Sequence, residues 1–135
     1  MAQRITVETS KIGEELSLFV QAGQEVNEQT QDAMRMLVDS DHLAFLYVLD
    51  TEDDLIYVDL GVEHWEKMDQ AAAADLKAVL HFRDGKTMTL SALTSEMEYL
   101  VSNIKGNANY GEKMVSAVER SFPSIISKTE EGNEG

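Results

Sequence analysis

The apolar positions of this chain change period along its length, and each change marks a new element. Residues 4–8 alternate, with Ile5 and Val7 on one face and Arg4, Thr6 and Glu8 on the other. Residues 14–21 alternate again, with Leu16, Leu18 and Val20 in phase and Phe19 breaking the polar set. Period two belongs to a half-buried strand. The turn-like Ser10-Lys11-Ile12-Gly13 between these runs predicts an opening β-hairpin. Residues 22–32 are polar apart from Val26 and read as a connection or an irregular edge. Residues 33–38 read as a further strand with Met34, Met36 and Val38 on one side. Residues 42–49 are almost wholly apolar, which suits a strand covered on both faces. An acidic turn over 50–54 and a returning run over 55–60 complete a second hairpin.

From Gly61 the period lengthens. Val62, Trp65, Met68 and Ala72 are spaced three, three and four apart, which is helical, and residues 70–74 continue with good helix formers. Residues 77–82 and 87–90, joined by Asp84-Gly85, predict a third hairpin. Two helical stripes follow: Leu93, Met97, Leu100, Val101 and Ile104, then Tyr110, Met114, Val118 and Phe122. Gly106 suits a left-handed cap, Asn109 and Glu112 have capping-box spacing, and Pro123 marks the end. Helices this close form an αα-hairpin. The expected fold is α+β: a mainly antiparallel sheet built from hairpins, with one mid-chain helix and a C-terminal helical hairpin packed on it.

Composition narrows the function more than the fold. A chain of 135 residues fits one domain, expected over residues 1–126, with 127–135 as a flexible acidic tail. The absence of cysteine excludes disulfides, thiolate catalysis and Cys-ligated metal sites. No apolar run approaches the ~20 residues of a membrane span, and no signal-peptide pattern precedes the first strand, so a cytoplasmic protein is expected. Eleven basic residues against twenty-five acidic ones leave a net charge of −14. That balance, with the basic residues scattered, works against nucleic-acid backbones and anionic membranes. Solubility is its plain reading. An acidic regulator that covers a basic partner is the sharper one.

Candidate chemistry is thin. Asp39, Asp41 and His42 offer two carboxylates and an imidazole within four residues, a set that could bind a divalent metal in a metal-dependent or small-ligand enzyme. Ahead of a strand, however, alternation sends His42 away from the two acids. The Asp-Ser-Asp run is more simply a turn bonding its own backbone. The acids of 50–54 lack the glycine and glutamate of an EF-hand loop. His64 and His81 have no acid or nucleophile at a known spacing, and neither a nucleophile elbow nor a phosphate-binding glycine loop occurs. No catalytic residue and no cofactor is therefore assigned. Trp65, Asn107 and Tyr110 are candidate contacts for a ligand or partner, against the plainer readings of core packing and loop capping. The methionines on the predicted apolar faces read as core filling, with an adaptable binding surface as the alternative. The lack of chemistry, with apolar surface around Phe19, Tyr57, Trp65 and Tyr99, points to a non-catalytic module acting by protein contact or self-association as a homodimer.

Two segments carry a family resemblance. Residues 37–47, LVDSDHLAFLY, form one; residues 98–112, EYLVSNIKGNANYGE, form the other. With Ile56-Tyr57-Val58 and Trp65, they resemble the YjbL-like family of short, acidic, uncharacterised proteins of Bacillus-type bacteria. The resemblance spans about residues 37–122. It implies a bacterial cytoplasmic protein of unknown function and transfers no catalytic residue.

Overall fold

A computed structural model describes residues 3–21 and 29–134, with side chains through residue 130. Its seven strands are β1 (Gln3–Ile12), β2 (Leu16–Val20), β3 (Gln31–Asp39), β4 (Ala44–Asp50), β5 (Leu55–Gly61), β6 (Ala78–His81) and β7 (Thr87–Thr89). They form one sheet in the order β3-β4-β5-β1-β2-β6-β7. The three predicted hairpins, β1–β2, β4–β5 and β6–β7, are present and antiparallel.

The sheet is nevertheless mixed, which corrects the mainly antiparallel expectation. The opening hairpin inserts at the sheet's centre, so β1 runs parallel to β5 and β2 parallel to β6. Hairpin turns specify pairing within a hairpin and are silent on where it docks. Strand β1 is the seam. Its residues 3–6 pair with β5, while its later residues pair with β2, with a register shift between Val7 and Thr9. Such a bulge raises local twist and lets one strand serve two partly turned halves. The strand also runs through residues 10–12, which were expected as turn.

Strand β4 is buried from Ala44 to Leu49, as its unbroken apolar run requires. Strand β3 departs from its expected face. A bulge between Asp32 and Arg35 puts Met34 at φ 55°, so Met36 is buried while Met34 is 58 % exposed. The shift leaves two residues of β3, Ala33 and Met34, without a partner on β4, so Met34 does not follow the strand's alternation.

The described residues also form four α-helices that share the sheet's hydrophobic core: α1 (Trp65–Ala73), α2 (Leu93–Ile104), α3 (Glu112–Ser121) and α4 (Pro123–Glu134). The predicted stripe of α2 is buried at all five positions. Met114, Val118 and Phe122 are buried from the second stripe, and Tyr110 packs partly against the core. Pro123 ends α3 and also opens α4. At a helix's first position its missing N–H has no partner to lose. Helix α4 continues through residues 127–134, for which no periodic stripe was evident, and Lys128 and Glu130 pair with Glu98 and Lys105 at α2. At the centre of the helix layer the rings of Phe45, Trp65 and Phe122 meet at centroid distances of 5.0 to 6.0 Å. Among the described residues no helix is long and apolar enough to cross a membrane.

Candidate functional site

The residues singled out by sequence lie in three separate places. Trp65 is fully buried, and its indole N–H donates to the Leu60 carbonyl at 3.0 Å. A ring with no exposed face cannot stack on a ligand, which corrects both its contact role and its contribution to exposed apolar surface. Its partners are the two phenylalanines of the core.

Asn107 and Tyr110 lie in the loop between α2 and α3. Gly106 adopts φ 67° after the helix, and Asn107 then caps a short 3-10 turn over Ala108–Tyr110. The Asn107 Oδ1 accepts from the Asn109 N–H at 3.1 Å, and its Nδ2 donates back to the Asn103 carbonyl at 3.2 Å. The cap thus falls on Asn107 rather than on Asn109. Gly111, at φ 90°, precedes α3 directly, so the expected capping box is replaced by a glycine entry. Glu119 reaches back from α3 to the Gly106 N–H at 2.9 Å.

Asp39 and His42 do meet, contrary to the alternation argument. Strand β4 starts at Ala44, so residues 40–43 are turn rather than strand, and Leu43 sits at φ 51°. The turn folds His42 back: its N–H and its Nδ1 both approach Asp39, at 3.3 and 2.9 Å. Asp41 is exposed. The cation beside Asp39 is Arg4, whose Nη2 lies 2.9 Å from Asp39 and 2.7 Å from Asp59, with Nε also donating to Asp59 at 2.8 Å. In the strand order, this bridge runs from β1 past β5 and β4 to β3. Partial burial alone would raise the Asp39 carboxyl, but hydrogen bonds from Arg4 and His42 outweigh it and hold it below the ordinary range. Among the described residues, no group of three His, Asp or Glu side chains is arranged to hold a metal ion.

Three polar constellations had no sequence signal strong enough to find them. The first is a buried pair. His64 Nε2 lies 2.8 Å from the Val7 carbonyl, which can only accept, so Nε2 donates there; Nδ1 shares a hydrogen bond with Ser10 Oγ at 2.7 Å. The imidazole thereby serves the β1 backbone at its bulge. The second is Asp69, a buried acid of α1 whose two oxygens accept from the Ser124 and Ile125 N–H groups at 3.1 and 2.9 Å, capping α4 from a distance. An acid next to Met68 on the apolar side of a helix was its only hint.

The third constellation ties β3 to α2. Asp32 Oδ1 accepts from the Met34 N–H and the Tyr47 hydroxyl, both at 2.7 Å, and Oδ2 accepts from the Ser91 N–H at 2.9 Å. The Tyr47 oxygen accepts in turn from the Ala92 N–H at 3.0 Å. Burial, and then the bond to Asp32, push the Tyr47 phenol well up. Glu96 completes the join by accepting from the Met36 N–H at 2.9 Å.

Three grooves formed by the described residues are open to solvent: one between α1 and the start of α4, one along α3 at Leu43, and one where Leu76 and Lys77 lead into β6. None is lined by Asp39, Asp41, His42, Trp65, Asn107 or Tyr110.

Residues 5–122 match the family described as "Family of unknown function (UPF0738)". A UPF0738 protein of Bacillus cytotoxicus is 42 % identical over 123 residues, covering 90 % of this chain and 99 % of the relative. UPF0738 proteins of Bacillus cereus strain B4264 and Bacillus thuringiensis strain Al Hakam are 40 % identical over the same shares. The kind of family expected, uncharacterised and from Bacillus, is the kind found, under the name UPF0738; the YjbL-like name is not confirmed. No solved structure matches the chain.

Proposed function

We propose that this chain, which belongs to the UPF0738 family of unknown function, is a non-catalytic binding module that works through protein–protein contact. One observation carries the reading. The clustered polar side chains that could do chemistry are spent on the chain's own framework: His64 on Val7, Asp69 on the start of α4, Asp32 on β3 and α2, and Asp39 on Arg4. Among the described residues, several large apolar side chains are nevertheless left exposed, notably Met34 at 58 % and Tyr99 at 63 %. A single site where unpaired acid, base and nucleophile converge would support an enzyme. Spent polar groups beside exposed large side chains support a contact surface instead.

The divalent-metal reading of Asp39, Asp41 and His42 has less support, because a metal would have to displace Arg4 from Asp39. The net charge of −14 favours a protein partner over nucleic acid or an anionic membrane, and a cytoplasmic setting suits the cysteine-free sequence. Co-purification of the tagged chain from a Bacillus lysate after mild cross-linking should yield a stoichiometric complex, with another protein or with a second copy. Calorimetric titration with magnesium, manganese and zinc should give no saturable heat. Metal binding that disappears in both Asp39→Asn and His42→Ala would replace this reading with the enzymatic one.

A further inference from the structure

We infer that the β3 edge and the adjoining side of α2 form a docking surface for a basic amphipathic helix of a partner protein. This rests on the binding-module reading and names its surface and its partner class. Five large hydrophobic side chains are exposed among the described residues; two of them, Met34 and Leu37, lie on β3 and a third, Tyr99, on the α2 helix tied to it. Strand β3 borders the sheet, and α2 runs beside it in the same sense, since Asp32 meets Ser91 and Met36 meets Glu96 further along. Tyr99 stands three residues beyond Glu96, hence on the same helix side and one turn on. Met34 lies between the two tethers.

The backbone here argues for a helix rather than a strand as the guest. A free sheet edge ordinarily recruits a strand through its unpaired N–H groups. On β3 the N–H groups of Met34 and Met36 are already taken by Asp32 and Glu96, at 2.7 and 2.9 Å. Along that stretch side chains are left to make the contact. Met34 is held in the left-handed region, at φ 55°, which a non-glycine residue adopts only under strain. The bulge spends that strain on turning a methionine outward at a sheet edge. Methionine adapts to varied partners, and tyrosine is enriched at binding hot spots.

Charge selects the partner. Asp32, Asp39, Asp41 and Glu96 border the edge, against Arg35 and an Arg4 already bridging two acids. A second copy would bring another net −14 to the same place. A guest with leucine-like residues on one face and lysine or arginine on the other is complementary to both the apolar anchors and the acidic rim.

The test uses a synthetic helix with leucines on one face and lysines on the other, titrated into the whole protein by fluorescence anisotropy and mapped by amide chemical shifts. A peptide of the same composition with its faces scrambled is the control. Saturable binding should perturb residues 32–38 and 95–100, weaken as salt rises, and fall about tenfold or more in Met34→Ser/Tyr99→Ser. Both positions are exposed, so the variant's melting temperature should stay unchanged. Equal binding of the scrambled peptide, unaltered binding by the double variant, mapping to the acidic turn at 50–54, or no binding at all would overturn the surface or its partner class. None of these outcomes would touch the binding-module reading, which stands or falls on the complex isolated from the lysate. A dimer that the double variant dissolves would keep the surface and overturn the basic partner.

Discussion

Helix α2 is anchored at its two ends in opposite ways. At its C-terminal end, Gly106, Asn107 and Gly111 close a tight loop mostly with bonds between residues two to four apart; Glu119 and the Lys105–Glu130 pair reach further. At its N-terminal end a few local bonds are joined by long-range ones from other elements. Asp32 and Tyr47 arrive from β3 and β4 to hold Ser91 and Ala92, and Glu96 reaches out to Met36. The local closure uses the Asn107 side chain on the loop's own backbone and leaves no large apolar side chain exposed. The long-range closure strains Met34, occupies the sheet edge, and leaves large apolar side chains exposed beside it. A loop that satisfies itself is complete as structure. An edge that is tied down yet exposed has surface to spare for a partner.

The comparison breaks most visibly at Asp32. Asp32→Ala removes the acceptor for three donors, one of them the Tyr47 hydroxyl that also holds the start of α2. Bonds to a charged group are worth roughly 1.5–3 kcal/mol each before relaxation, so a loss of about 3 kcal/mol is expected in urea unfolding. Hydrogen exchange should quicken in β3 and the first turn of α2, and leave the Gly106–Gly111 loop unchanged. Equal quickening at both ends would mean that the two anchors are one cooperative unit.

Gly111→Ala probes the local anchor. At φ 90° and ψ 144° the backbone lies where an L side chain is strained, although a Cβ would meet nothing within 4 Å. The expected cost is about 2 kcal/mol from strain alone, read as a lower melting temperature. A neutral result would show that the loop relaxes freely and that its wording is not dictated by conformation.

How much of this was legible follows the same division. The loop's glycines, its asparagine and the buried stripes on either side lie within a few residues of one another, and periodicity and capping rules read at that range. Only the choice of Asn107 over Asn109 as cap was missed, because both have a suitable side chain and the 3-10 turn shifts the start of α3 by two residues. The edge was opaque. Asp32 sat in a polar stretch with no pattern, and its partners Tyr47 and Ser91 lie 15 and 59 residues away. The bulge that exposes Met34 has no glycine to announce it. The same limit hid Arg4 from Asp39 and put the opening hairpin in the wrong kind of sheet. Pairings between distant strands are not written in either strand.

Asn107→Ala is the finer probe of whether the loop does anything beyond closing. Losing an asparagine cap costs about 1 kcal/mol. Combined with Tyr110→Ala it should lower stability and leave peptide binding at the β3 edge unaltered. Weaker binding with unchanged melting would return function to the loop and reverse the contrast between the two ends.

The smallest expected effect lies at the Arg4–Asp39–Asp59 bridge, another long-range closure of the sheet. Asp39 is held below its ordinary value of 3.8, so the folded state binds its proton less readily than the unfolded chain does. Its contribution to stability is therefore present above the unfolded value and is lost as pH falls through that value toward the folded one. Melting measured from pH 6 down to pH 2 should decline less steeply in Asp39→Asn than in the parent. Both curves should meet near the bottom of the range, where the parent carboxyl is protonated as well. The site is partly exposed and screened by solvent, so the difference at neutral pH should stay within about 1 kcal/mol. High salt should shrink it further, whereas the Asp32 effect, which involves the buried Tyr47 hydroxyl, should persist. A bridge that resists salt as well as the Asp32 join does would mean that Arg4 is desolvated across the sheet face, and that this face too is tied down for a purpose beyond folding.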